Sequence, residues 1–530
     1  MTALLVGPLL RHVDRSSATV WVETDRPCEV RVLDRTARTF TVHGHHYALV
    51  EIDGLEPGSA TEYEVALDGE TVWPEPESPF PPSVIRTLGG DGPLKISFGS
   101  CRRSPDRAGA HGHDALSAYA HRLSAGADRP SMLLLVGDQV YADELGPEMR
   151  AIIRERREPG DEPQDEIADF EEYTHLYRLA WAEDPAVRWL LSTVPSLMVF
   201  DDHDVRDDWN TSHAWREQVA ALPWWHRRIV GGLGSYWIYQ HLGNLSSRER
   251  AEDSLYQAVQ KASPEDASKM LDDFAERADK EPATTRWSYA HDFGGTRLVV
   301  VDSRCSRVLE PGRRAMFDEP EQRWLDERCT GDVDHLLIAS SLPYLLPRAI
   351  HHGEAWNEAL ANGAWGRRAA RFGEKLRQFA DLEHWAAFDG SFRRLAEDVL
   401  AVSRGERGAA PASIAFLSGD VHYSYLARVT RGAGRTPISQ VVCSPLRNPL
   451  IGKFRWANII ACVRGPAPLA RAVAALARAP RPPLNWRVTD GPWFDNAIAT
   501  VEIEGRTAAV RWERVTGATG LAEIARAELS

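Results

Sequence analysis

The chain has 530 residues, 62 basic against 76 acidic, and a net charge of −14. With 43% hydrophobic and 26% charged residues it is ordinary for a globular protein, which excludes wholesale disorder and fibrous repeats. No apolar run reaches the roughly 18 residues of a membrane span, and the acidic balance argues against a nucleic-acid backbone as main partner.

The length suggests two to four domains. The N-terminus has no basic stretch before an apolar one and no twin arginine, so the expected location is cytoplasmic. Cysteines 28, 101, 305, 329, 443 and 462 form no CxxC pair and read as free thiols in a reducing compartment.

Residues 1–88 read as all-β. Ala18–Thr24 and Cys28–Val32 are β-branched and aromatic, and Tyr63–Leu67 runs into the hairpin signal Asp68-Gly69. Gly54 to Val65 resembles a segment of fibronectin type III domains, so this part is expected to be a small β-sandwich. Pro74 to Pro82 reads as a linker, and Gly44-His45-His46 as a surface turn.

From Leu94 the pattern changes. Short apolar runs recur, each ending in polar residues: Ile96–Phe98 before Cys101, Met132–Val136 before Asp138, and Leu197–Phe200 before Asp201 to Asp204. Further on come Leu298–Val301 before Asp302-Ser303-Arg304, Leu336–Ile338 before Ser340-Ser341, and Ile414–Leu417 before Asp420-Val421-His422. Continuous apolar runs are buried strands. Their ends are expected to gather polar groups along one edge of a sheet. Residues 210–285 are helical and charged, either a structural cap or a lid. Between Asp420 and Asp490 stand eleven Lys or Arg and no acid. This 421–489 segment suits an anionic substrate, the frame of a phosphate site or contact with a membrane surface.

P-loop, HExxH and GxSxG patterns are absent, which disfavours nucleotide-dependent phosphotransfer, zincin proteolysis and α/β-hydrolase chemistry. The strand ends carry Asp138, Asp202, Asp204 and Asp420, imidazoles His203 and His422, the thiol Cys101 and the phenol Tyr141. Carboxylates converging in this way repel unless cations neutralise them. A hard cation would take the carboxylates, and a borderline or trivalent one the thiolate, phenolate and imidazole.

Four blocks, Ser97–Cys101, Gly137–Asp143, Asp201–Trp209 and Ser418–Ser424, resemble the alkaline phosphatase D (PhoD-like) family of metallophosphatases. Val301–Arg304 and Trp385–Gly390 are similar to it as well. The resemblance implies an α/β fold: a metallophosphatase-type β-sandwich flanked by helices (αββα) over residues 89–530, after the all-β domain. It implies hydrolysis of phosphomonoesters and phosphodiesters by in-line attack of a metal-bound water, with Fe³⁺ and Ca²⁺ as cofactors and a phosphate ester as substrate. It makes Asp138 the metal-bridging carboxylate, Cys101 and Tyr141 ligands of the iron, and Asp202, Asp420 and His422 further ligands. His203 falls at the position that contacts the transferring phosphoryl group. Arg304 either binds phosphate or pairs with an acid. In the wider pattern a further His follows the fifth strand; Ser340-Ser341 stands there, so a ligand is missing or water replaces it. The competing reading is a non-catalytic, metal-stabilised protein that docks on a partner or membrane.

Overall fold

The computed structural model describes residues 2–530 other than 91, 106–108, 433, 451, 463 and 464. Two four-stranded antiparallel sheets form the N-terminal sandwich. One runs in the order Leu4–Val13, Ser17–Thr24, His45–Asp53, Phe40–Val42; the other in the order Arg35–Arg38, Glu29–Val32, Val65–Leu67, Glu70–Trp73. Asp68-Gly69 closes the last hairpin with both residues at positive φ (49° and 91°), the two-residue turn its sequence signals.

The Ser17–Thr24 strand is buried on both faces. Ala18, Val20 and Val22 enter the sandwich core, while Trp21 packs outward against helices of the larger body. One apolar cluster therefore runs from Val6 and Trp21 to Trp181, Trp189 and Trp237. The stretch read as a linker is docked. Phe80 stacks on Trp189 at 5.4 Å, and Trp189 Nε1 donates to Pro81 O at 2.7 Å.

Two larger sheets face each other in the rest of the chain. The first has the order Ser196–Val199, Met132–Val136, Leu94–Gly99, Ala497–Glu504, Thr507–Val515, Leu521–Glu528. The second has the order Tyr289–Phe293, Thr296–Val301, His335–Ser340, Ser413–Ser418, Ile438–Val442, Ser424–Arg431, Asn485–Trp493. Ile96, Phe98 and Leu134 of the first meet Leu298, Leu337 and Ala415 of the second in a shared core. Helices cover both outer faces, which is the αββα layering. The six chemistry-bearing strand ends thus belong to two sheets and not to one edge, three to each.

Helices within 210–285 wedge between the larger body and the N-terminal sandwich. Tyr239 Oη donates to Glu23 at 2.7 Å, and Arg250 pairs with Glu51 at 2.6 Å. Their aromatic residues fill a seam. His45 lies inside the His45–Asp53 strand and not in a surface turn, bonded to Glu23 (3.0 Å) and Glu171 (2.7 Å). Among the described residues no helix is long and apolar enough to cross a membrane. All six cysteines are free. Arg464, one of the eleven basic residues of the 421–489 segment, lies outside the described residues.

Candidate metal centre

The site is built where the two sheets end side by side, and glycines permit the approach. A Cβ on Gly137 (φ 99°) would stand 2.7 Å from Asp201 Cβ and 3.0 Å from Ser341 Cβ. One on Gly419 would stand 1.9 Å from Ser100 Oγ. The residues after these turns are held in an unusual backbone conformation. Cys101 (φ 54°), Asp138 (52°), Asp420 (64°) and His422 (56°) all sit in the left-handed region, which costs non-glycine residues about 1 kcal/mol or more each. Such strain persists where surrounding bonds over-determine it. Asp204 supplies several of them, accepting the backbone N–H of Asp138 (3.0 Å), Gln139 (3.2 Å), Val140 (3.2 Å) and Asp201 (2.9 Å).

Three groups of donors result, each with ligand atoms within 4.8 Å of one another: Cys101, Asp138 and His422; Asp138, Asp202 and His203; Asp201, Asp202 and Asp420. Asp138 is common to the first two and Asp202 to the last two. Tyr141 Oη donates to Asp138 Oδ2 at 3.2 Å and accepts from Asn448 Nδ2 at 3.1 Å. The structure therefore brings together Cys101, Asp138, Tyr141, Asp202, His203, Asp420 and His422.

Arg304 is fully buried and takes the acid-pairing option. It contacts Asp201, Glu383 (2.5 Å) and Asp202 (3.2 Å), with Asp420 at 4.0 Å. Ser340 and Ser341 are buried, Ser340 Oγ donating to Leu342 O and Ser341 Oγ bonded to Ser303 Oγ.

The electrostatics follow from crowding. Burial, with Asp201, Asp202 and Asp204 alongside, pushes the Asp138 carboxyl well above its ordinary range against the pull of His203. Burial also raises Asp201 and Asp202, which Arg304 opposes. Burial raises the Cys101 thiol as well, reinforced by Asp138 and Asp420. Burial alone would lower His203, but Asp143, bonded to Nδ1 at 2.9 Å, together with Asp202 and Asp138, lifts it well above the usual imidazole value. Burial would raise Asp420, yet its bond from His384 and the charge of Arg304 hold it down to about 2.

These residues fit cations. Asp138 Oδ1 and Asp201 Oδ2 are buried with no hydrogen-bond donor, which costs a carboxylate several kcal/mol unless a cation takes the place of the donor. Carboxylates so close keep protons unless positive charge offsets them.

Sequence reasoning missed several participants. His384 joins the site through Nε2 to Asp420 Oδ2 (3.0 Å), with Nδ1 held by Glu354 (2.8 Å). It stands one residue before the Trp385–Gly390 block, which was its available signal. Asp201 and Asp143 were inside quoted blocks but passed over. Asn448 carries no motif signal. Beside Tyr141 opens a cavity of about 260 Å³, bordered by Arg103, His111, Leu145 and Met149.

A family model described as PhoD-like phosphatase matches residues 98–457, and a domain of unknown function, DUF7800, matches residues 1–85. A solved structure of PhoD superposes over 99% of this chain and 92% of its own, at TM-score 0.60 and 11% identity, a likeness of fold. A purple acid phosphatase from yellow lupin (Lupinus luteus) seeds aligns over 97% of this chain and 73% of its own, at TM-score 0.48 and 10% identity. No curated protein matches the sequence. With the phosphatase model spanning well over half of its length, the chain belongs to the PhoD-like phosphatase family and is a metal-dependent phosphoester hydrolase.

Proposed function

We propose that the chain hydrolyses phosphomonoesters or phosphodiesters at this centre, with Fe³⁺ and Ca²⁺ as its cations. Cys101, Tyr141, His422 and Asp138 would hold the iron, since thiolate, phenolate and imidazole suit a trivalent or borderline ion. Asp138, Asp202 and Asp420 would hold calcium, a hard ion that takes oxygen ligands, and Asp201 belongs with them. Such cations bind phosphate oxygens and make water a nucleophile near neutral pH.

The protein's own residues do the rest. Asp143 orients the His203 imidazole through Nδ1, so that it faces Asp138 and Asp202, where charge builds on the transferring group. From there His203 stabilises that charge or gives a proton to the leaving oxygen. Glu354 orients His384 in the same way against Asp420. Arg304 sits behind the carboxylates and keeps them in place; its burial supports a positioning role over direct phosphate contact. The cavity beside Tyr141 has room for a leaving group.

In this reading residues 1–88 support, residues 89–530 catalyse, and the free thiols favour a reducing, cytoplasmic compartment. The observation that carries the proposal is Asp138, shared by two donor groups with an oxygen left unbonded. Elemental analysis of protein purified without added metal, paired with hydrolysis of a nitrophenyl phosphodiester, tests it. Iron with calcium and turnover is the expected result. No stoichiometric metal after reconstitution would overturn it, and zinc or manganese would remove Fe³⁺ and the role of Cys101.

A further inference from the structure

The helix Pro466–Leu476 is amphipathic in the wrong sense for a free surface. Ala467 and Ala474 face inward, while Pro468, Leu469, Ala472, Ala475 and Leu476 face solvent. These five fall at helical spacing on one side, and Leu469 and Leu476 are 71% and 73% exposed. Surface helices ordinarily turn such a stripe toward the core.

The patch extends beyond this helix. Trp365, half exposed, donates from Nε1 to Leu476 O at 3.2 Å and so joins it to the helix Arg367–Phe379. That second helix exposes Phe372 and Phe379, the latter at 86%. Around these aromatics stand Arg367, Arg368, Arg371 and Lys375, all exposed. Arg478 and Arg481 are exposed just past the first helix. In a chain of net charge −14, residues 421–489 contain no acid at all.

We infer that this apolar, arginine-fringed surface docks on an anionic lipid surface. Apolar side chains at the centre of a helix face with Lys and Arg at its margin match a bilayer boundary of acyl chains below negative headgroups. Each basic side chain near such a surface adds about fivefold to binding. A second copy of the chain fits poorly, because it would set arginine against arginine. Phe379 lies five residues before His384, whose Nε2 bonds Asp420 of the site. Docking would therefore hold the site beside the lipid headgroups. The surface uses no catalytic residue, so its failure and that of the hydrolase reading are separable.

The test is flotation of the full chain with phosphatidylcholine vesicles, with and without about a third phosphatidylglycerol. Wild type is expected to float with the anionic vesicles alone and to leave them at high salt. The double variant Leu469→Glu/Leu476→Glu is expected to lose about tenfold or more in partitioning, and Arg368→Glu/Arg371→Glu about 25-fold or more, from two basic side chains at about fivefold each. Both should hydrolyse a small water-soluble ester at the wild-type rate, which shows that they fold. The inference fails if wild type ignores anionic vesicles at low salt, or if the double variant floats equally well. It also fails if wild type forms dimers through this face and does not bind vesicles.

Discussion

Two regions of this molecule bury charge, and they do so differently. In the seam between the N-terminal sandwich and the helical wedge, the buried guanidinium groups of Arg11 and Arg250 are fully answered. Arg11 donates to Ser196 O (3.1 Å), Tyr239 O (2.6 Å), Gln240 O (2.8 Å) and Asn244 Oδ1 (3.2 Å). Arg250 reaches Glu51, Leu242 O, Leu245 O and Thr19. At the sheet ends, buried carboxylate oxygens of Asp138 and Asp201 have no donor. A satisfied network stabilises and stays closed, whereas an unsatisfied one is a site that waits for positive charge.

The sharpest way to break this contrast is Asp138→Asn. Turnover should fall by about a thousandfold or more, because the carboxylate shared by two donor groups is gone. The metal-free variant should melt no lower than metal-free wild type, since a buried unpaired carboxylate is removed. Hydrolysis assays and circular-dichroism melts read the two results. Unchanged turnover would dissolve the distinction between the regions.

Arg304→Gln comes next. It withdraws the cation that faces Asp201, Asp202 and Glu383, and should cost about 3–5 kcal/mol in urea unfolding of metal-free protein. Added metal should recover part of that loss. A chelator should then lower the stability of wild type by about 3 kcal/mol, for metal present near a hundredfold excess over its dissociation constant. Chelation should leave the Asp138→Asn protein nearly unchanged. Calorimetry with and without chelator compares them.

The seam has its own pH signature, and it is the smallest effect. Burial would lower His45, but Glu171 and Glu23 lift it to about 9. A histidine that holds its proton more tightly when folded contributes stability in full below the ordinary value of about 6.5 and loses it as pH rises to about 9. The loss should be on the order of 2–3 kcal/mol across that window. His45→Gln should flatten the profile there, as read by urea unfolding at several pH values. A wild-type profile already flat between those values would count against the partly buried His45 pair with Glu23 and Glu171.

The site was legible in sequence wherever its chemistry sat next to a strand end. Cys101, Asp138, Asp202, Asp420 and His422 each follow an apolar run by a few residues, so the run announces the strand and the polar residue announces its end. His384 was legible only as the neighbour of the Trp385–Gly390 block, because it precedes a short helical turn and reaches Asp420 through space. The C-terminal strands were not read either. Ala497–Glu504 pairs with Leu94–Gly99 near the middle of the first sheet, a contact spanning some four hundred residues that no local pattern encodes.

Taken alone, the sequence determined the six strands that end at the site, the all-β start, the donor types and the family, because periodicity and motif spacing are local properties of the chain. It also left Arg304 open between phosphate and acid, and the strand ends assigned to one edge. Those were decided only in three dimensions. Which sheet a strand joins, which carboxylates surround a guanidinium and which helix face meets solvent depend on packing between segments far apart in sequence. Desolvation then sets the charge of each group by what surrounds it, and no single stretch of chain contains that information.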